Sequence, residues 1–398
     1  MTQLPPLLMT CDPGSFARKT IVERKPQIIR QVGENNDYSA AVMQALAAFR
    51  DEIAGQAMQP LREQAPDVAA WNRELFKYTG KTWLEVPWYW AEVFFYRKLL
   101  EAVRYFQPGP WLARDPFACK KQQQTEAAIE QLAKSWTHLD DLAPELVFEA
   151  LLHSSLWGNR ADLSNFTVRQ QASGGLATHA ERQNILIDDT EAVRDLLSPG
   201  TRSVAFINDN VGLDVLFDLA LADFLLTRGW TRQVVFHLKD YPFFVSDAMP
   251  EDIGLTLQLL QASPEETVSR FGDRLDQHLS SGQLELRDNP FWTSFHMFSR
   301  LEATPSLQTQ LERADLVIIK GDVNYRRLLD DRHWPFTTAM RSIAGDFPAP
   351  FVALRTLKGE IMVGLPAGKA EELHSLDPGW LINGKRGVIH YMNTAVQE

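Results

Sequence analysis

From about residue 15 to residue 170 the apolar positions recur at helical spacing, and beyond it short apolar runs alternate with helical patterns. In the first stretch Tyr38 to Ile53, Asp67 to Tyr78, Trp83 to Phe106, Lys121 to Thr137 and Pro144 to Leu156 each read as a helix. The third carries Trp83, Trp88, Tyr89, Trp90, Phe94, Phe95 and Tyr96, a density of aromatics that builds a core or an inter-domain contact. Glu92 and Arg97 stand on that apolar element, where a solvated face is the simplest account of them. The pattern breaks at Gly158, so Leu156 to Ser164 reads as a loop, with Asn159 and Asp162 as turn or cap residues. The Gly/Ser/Ala-rich stretch Gln170 to His179 reads as a junction between a helical domain, 1–172, and an α/β domain, 173–398.

Past the junction Ile185–Ile187, Val204–Ile207, Val234–Leu238, Leu284–Leu286, Ala314–Lys320, Phe351–Leu354, Glu360–Val363 and Gly387–Tyr391 read as strands. Helical patterns fall between several of them, which predicts an α/β fold with a doubly wound, mostly parallel sheet. The most telling stretch is Val204 to Leu226, where a strand stops at Asn208-Asp209-Asn210 and a helix starts just after Gly212. Alone, Asp209 and Asn210 read equally well as a turn with a helix N-cap. Asp214, Asp218 and Asp223 then fall on the face of the helix. The carboxyl edge of such a sheet is also where ligands bind.

Composition narrows the picture. With 398 residues, 45% hydrophobic and 23% charged, the chain has room for two ordinary globular domains. A net charge of -11 argues against nucleic acid as a partner. Two cysteines, Cys11 and Cys119, form neither a disulfide framework nor a thiolate zinc cluster. No apolar run approaches the roughly 20 residues that span a bilayer. The first nine residues are too short and too proline-interrupted for a secretory signal. A cytoplasmic protein without a membrane partner is the expectation.

Four polar clusters fall just past predicted strands, where a core does not require them: Asp209-Asn210, Ser246-Asp247, Lys320 to Tyr325, and Arg355 to Lys358. Two carboxylates and an amide oxygen suit a hard divalent cation, and basic residues with the backbone at Gly321 suit a phosphate. Together they read as metal-assisted phosphoryl chemistry. Other motifs fall away. Gly379 to Arg386 nearly matches a P-loop, but Arg386 replaces the Ser/Thr and no strand precedes it. No Gly-x-Gly-x-x-Gly follows a strand, Gly-x-Ser-x-Gly is absent, and His237 inside a strand reads as a buried residue rather than a ligand.

The clusters, in this order, resemble the damage-control metal-dependent phosphatases, a family first catalogued as a domain of unknown function. The match is to the branch with a C-terminal Arg-Thr-x-Lys motif, here Arg355-Thr-Leu-Lys358, which has also been labelled acidic-residue (protein-glutamate) methyltransferase. Asp209-Asn-Val-Gly212, Phe244-Val-Ser-Asp247 and Lys320-Gly-Asp-Val-Asn-Tyr-Arg326 carry it in the second half. Ala91 to Arg97, Trp157-Gly-Asn159 and Asp162-Leu-Ser164 carry it in the helical half. The resemblance implies a helical domain packed on a Rossmann-like one. It implies a metal (Mn²⁺, Co²⁺ or Ni²⁺, with Mg²⁺ also compatible) on Asp209, Asn210 and Asp247. Substrate contacts map to Gly321, Asp322, Val323, Asn324, Tyr325 and Lys358, with Arg355 in support and Glu92, Arg97, Asn159 and Asp162 added from the helical half. The family usually has alanine where this chain has Val211, a change that bears on pocket shape. The implied activity is hydrolysis of small phosphorylated metabolites, fructose 1-phosphate or fructose 6-phosphate first among them. The attacking group is either water activated by the cation or the Asp209 carboxylate. The rival readings are a methyltransferase using adenosyl-methionine and a non-catalytic sugar-phosphate-binding protein.

Overall fold

The computed structural model describes residues 4–135, 143–158, 184–197 and 200–394. Its centre is a seven-stranded sheet of order β1-β7-β6-β5-β2-β3-β4. The strands are β1 (Ile185–Asp188), β2 (Thr201–Ile207), β3 (Thr231–Leu238), β4 (Leu284–Asp288), β5 (Leu316–Lys320), β6 (Phe351–Thr356) and β7 (Gly387–Met392). β2 to β6 run parallel, while β7 lies antiparallel to β6 and pairs in parallel with β1. β5, Leu-Val-Ile-Ile-Lys, is buried along its whole length, as a strand covered on both faces must be. The chain winds from β2 outward to β4 and then returns to lay β5 on the other side of β2, so the winding reverses between β2 and β5. In such sheets the crevice at that reversal, beyond the strand ends, is the natural ligand site.

The expected strand Glu360–Val363 is not one. Ile361, Met362 and Val363 are buried, but the Ile361 carbonyl accepts from the Arg355 guanidinium, and Gly364 and Leu365 donate to Thr338 and Phe336. Gly359 and Gly364 bracket the tetrapeptide, which packs as irregular chain with its polar groups served by a side chain and a loop.

In the helical half α1 (Lys25–Glu34) follows a helical turn at Phe16–Lys19 and a π turn at Thr20–Arg24. Then come α2 (Ala40–Ile53), α3 (Val68–Leu75), α4 (Trp88–Ala102), α5 (Ala118–Ser135) and α6 (Pro144–Trp157). α4 begins later than the aromatic run predicts because Pro87 takes the N-cap, and it ends before Arg104, whose φ of 65° leaves helical space. Every residue from Trp88 to Leu100 is buried, so Glu92 and Arg97 lie on no solvated face. After β1 come α7 (Thr190–Leu197), α8 (Leu213–Thr227), α9 (Pro250–Gln261), α10 (Glu266–Ser280), α11 (Pro305–Glu312), α12 (Gly321–Leu328) and α13 (Lys369–Leu376). The junction expected at Gln170–His179 lies outside the described residues. α5 and α6 share one core with α8, α9, α10 and a sheet face. Buried residues between Ile21 and Phe117, Trp88 apart, form a separate aromatic core that reaches the sheet's edge at Tyr241 and Phe243. No helix among the described residues is long and apolar enough to cross a membrane.

Phe94 lies at the middle of the aromatic core, with ring centroids 4.9 Å from Trp90, 5.8 Å from Trp83 and 6.1 Å from Trp71. Phe94→Ala empties that position. It is expected to cost about 3–5 kcal/mol of unfolding free energy by urea titration, as large-to-small changes in packed aromatic cores do.

Candidate active site

Three chain reversals build one cleft of about 270 Å³ at the carboxyl edge of β2, β3, β5 and β6. After β2 the chain turns at Asn208, whose buried amide donates to Asp218 Oδ2 at 3.0 Å, and this leaves Asp209 and Asn210 facing the cleft. After β3 the segment Tyr241 to Ala248 folds back on that turn. Asn210 and Asp247 form an isolated antiparallel bridge, with Val211 N donating to Ser246 O at 2.7 Å and Ala248 N to Asp209 O at 2.8 Å. Ser246 Oγ donates to Asn210 Oδ1 at 2.6 Å. The reversal passes through Phe244 at φ 54°, a backbone conformation that costs a non-glycine residue about 1–3 kcal/mol.

The third reversal follows β5. Gly321 has φ 86°, and a Cβ there would sit 2.0 Å from Asp209 Oδ2, so only glycine lets the two turns meet. The expected phosphate loop is therefore the first turn of α12. Gly321, Asp322 and Val323 line the cleft. Asn324 and Tyr325 do not, contrary to expectation: Asn324 Nδ2 donates to Lys320 O at 2.8 Å, and Tyr325 lies buried under the Arg355 guanidinium, 4.3 Å from its ring. They point into the protein because the helix turns every third or fourth side chain inward.

Arg355 is likewise a support rather than a contact. Fully buried, it donates to Asp322 Oδ1 at 2.8 Å, Gly359 O at 2.9 Å and Ile361 O at 2.5 Å. Lys358 N donates to the same Asp322 oxygen at 3.1 Å. The Arg355 bonds tie α12 to the turn after β6, which leaves the Lys358 side chain exposed on the cleft.

The electrostatics are those of crowded acids. Burial, reinforced by the charges of Asp247 and Asp214, raises the Asp209 carboxyl well above the usual range. Burial pushes Asp247 up to about 6 despite the Lys239 ammonium 3.3 Å from Oδ2. Burial in turn lowers Lys239. Asn210 Nδ2 donates to Asp209 Oδ2 at 2.7 Å and to Asp214 Oδ2 at 3.1 Å. Among the described residues no group of three or more His, Cys, Asp or Glu is gathered to hold a metal, so the donor set needs the Asn210 amide oxygen. It fits a divalent cation that favours oxygen. Asp247 Oδ2 is buried with only the Lys239 ammonium, 3.3 Å away, to balance it, and the acids repel one another in a way that added positive charge relieves.

From the helical half, Glu92 reaches the cleft but is already paired, with Lys25 Nζ at 3.2 Å and Arg326 Nη1 at 2.6 Å. Arg97 does not reach it: the guanidinium is bound by Asp67 at 2.7 and 2.8 Å and Glu63 at 2.6 Å. Asn159 and Asp162 lie outside the described residues. Val211 is buried away from the cleft in the core. Several residues enter that the sequence reading left aside. Asp214, in the first turn of α8, lines the cleft and accepts from Asn210 Nδ2. Asp218 and Asp223 are buried rather than on a solvated face; Asp218 pairs with Lys320 at 2.7 Å and accepts from Ser155 Oγ at 2.6 Å, and Asp223 pairs with Arg274 at 2.7 Å. A lysine ending an apolar strand and an aspartate inside an apolar helix were the available signal for that pair. Arg24, exposed in the π turn, lines the cleft with no local sequence signal at all.

Arg355→Lys can satisfy only one of the three acceptors the guanidinium serves. Gly359 O keeps its bond from Ile361 N at 2.8 Å, but the buried Ile361 carbonyl is left unserved, so the variant is expected to lose about 1–3 kcal/mol of stability in chemical denaturation.

A family model described as the damage-control phosphatase ARMT1-like domain matches residues 20–373. Proteins named damage-control phosphatase ARMT1 are similar along nearly their whole length. That of Danio rerio is 32% identical, covering 98% of this chain and 97% of its own. Those of Mus musculus and Homo sapiens are 31% and 30% identical, each covering 98% of this chain and 99% of its own. Among solved structures a DUF89 family protein from Pyrococcus horikoshii is similar at 15% identity and a TM-score of 0.48, covering 94% of this chain and 97% of that one. The chain belongs to the ARMT1-like damage-control phosphatase family.

Proposed function

We propose that the chain is a metal-dependent phosphatase acting on phosphate esters of small sugars or related metabolites, with fructose 1-phosphate and fructose 6-phosphate as first candidates. The observation that carries this is one cleft in which Asp209, Asn210 and Asp247 stand beside the Gly321 turn and Lys358. Asp209, Asn210 and Asp247 would hold the cation, whose chemistry is to neutralise phosphoryl charge and to lower the pKa of water. Lys358 and Arg24 supply the cationic side of the cleft; neither is ion-paired among the described residues, so both are available to phosphate oxygens. Lys239 keeps Asp247 oriented and partly neutralised from behind. Asp322, anchored by Arg355 and the Lys358 backbone, sets the distance between the Gly321 turn and Lys358. Small phosphorylated metabolites are the partners this cleft suits, since about 270 Å³ falls just below the roughly 300–1,000 Å³ of drug-sized ligand pockets. No observation favours methyl transfer.

The decisive experiment is a phosphate-ester panel with Mn²⁺, Co²⁺, Ni²⁺ or Mg²⁺, run beside Asp247→Ala. Phosphate release that needs added metal is expected, with a loss of about a hundred- to a thousandfold in the variant, as removal of one charge-stabilising group gives. Release unchanged by chelation and by the substitution would sink the reading, and methyl transfer under those conditions would replace it.

The raised Asp247 carboxyl adds a pH test. Its protonated form prevails below about 6 and cannot serve as a ligand, whereas its ionised form prevails above. Mn²⁺ affinity measured by calorimetry is therefore expected to fall as the pH drops through about 6, by at least about tenfold per unit, because the raised Asp209 carboxyl must give up its proton as well. An affinity that stays constant from pH 5 to 8 excludes Asp247 as a ligand.

A further inference from the structure

We propose that Phe244 reads the non-phosphate half of the substrate, presenting its ring to an organic group with an apolar face, as a sugar ring has. This rests on the phosphatase reading above and deepens it. Five non-glycine residues among those described have positive φ: Arg104, Ala113, Phe244, Asp330 and Asp331. Of these Phe244 alone lines the cleft. A glycine would take its φ of 54° without strain, so the backbone does not ask for a ring there. The ring is nevertheless held firmly. It lies 4.8 Å from the Tyr96 ring and meets Phe243 edge-on at 5.2 Å. The buried Lys25 ammonium stands 4.5 Å from the Tyr96 ring and 6.0 Å from that of Phe244, pinning the pair by its charge. Tyr96 is buried beneath, while Phe244 is only half-buried.

Its position along the chain makes this useful. Phe244 precedes Asp247 by one short turn, and that turn is bolted to Asn210 by the Asn210–Asp247 bridge and the Ser246 hydrogen bond. The distance from ring to acids is therefore set by the backbone rather than by a mobile loop. Phe16, Trp88 and Val245 continue the apolar wall, and the Trp88 face is already taken by the Arg326 guanidinium at 3.3 Å. Phe244 thus offers a ring face to a ligand whose phosphate lies among Asp209, Asp247 and Lys358. A hexose ring gathers several C–H groups on one face to meet such a ring, and a short acyclic ester has no such face.

The test compares a hexose phosphate with glycerol phosphate, in Mn²⁺, for the wild-type chain, Phe244→Gly and Phe244→Leu, with thermal melting alongside. Phe244→Gly removes the ring and the backbone strain together. It is expected to raise KM for the hexose ester about tenfold, while KM for glycerol phosphate stays within about twofold. Phe244→Leu keeps the bulk and is expected to fall between, which preserves the test if the glycine variant melts early. A wild-type chain active on both esters, with the hexose preference unchanged in the variants, overturns this proposal alone. A wild-type chain that hydrolyses no phosphate ester overturns the phosphatase reading and this proposal with it.

Discussion

Asp209 and Asp247 come together where two acids resist being placed, and much of the molecule is arranged around that contact. The Asn210–Asp247 bridge closes the turn after β2 against the segment after β3, and burial leaves both carboxyls reluctant to ionise. The arrangement holds because cations and amides are stationed behind it. Lys239 faces Asp247, and Asn210 Nδ2 is shared between Asp209 and Asp214. A neighbouring buried pair, Lys320 with Asp218, ties β5 and α8 to Ser155 of α6, with Lys320 and Ser155 both on the cleft wall. Each such pair would be costly to break, because the partner left behind would be an unpaired buried charge.

A second buried network joins the helical half to the same edge. Arg326 of α12 is held by Asp331 and Glu92, and its guanidinium lies flat against Trp88. Burial alone would raise the Glu92 carboxyl, but the Lys25 and Arg326 charges outweigh it and hold it below the usual range. Burial lowers Lys25 to about 8. The chain start adds backbone bonds, from Leu8 N to Asp331 O and from Trp88 N to Leu8 O. The helical half is thereby fastened to α12, the element whose first residue must pack against Asp209.

These contacts give the cleft a division of labour. Acids and an amide oxygen cluster at the β2–β5 reversal, available cations stand at Lys358 and Arg24, and an aromatic wall flanks them. Oxygen donors, cations and an apolar face in one small cavity suit the metal, phosphate and compact organic group proposed above. That description agrees with membership in a damage-control phosphatase family.

The sequence by itself determined the elements and the turns that carry chemistry. Strand ends are legible because an apolar run stopping at Asp209-Asn210 or Lys320-Gly321 marks both a buried strand and its polar outlet, and a period of 3.6 separates helices from strands. It did not determine which polar residues face the cleft. Asn324, Tyr325 and Arg355 stand in the right motifs, yet a helix begun at Gly321 turns the first two inward, and Asp322 draws the third into the protein. Arg97 stands on the right helix but is consumed by Asp67 and Glu63, residues about thirty positions away that no local pattern pairs with it. Arg24 and Asp214 enter, and Glu360 to Val363 leaves the sheet, for the same reason: side-chain direction and partner choice are long-range properties. Periodicity is set by nearest neighbours along the chain and so is written locally. The charge balance of the cleft is set by residues that only folding brings within a few ångströms, and the tertiary structure alone decided it.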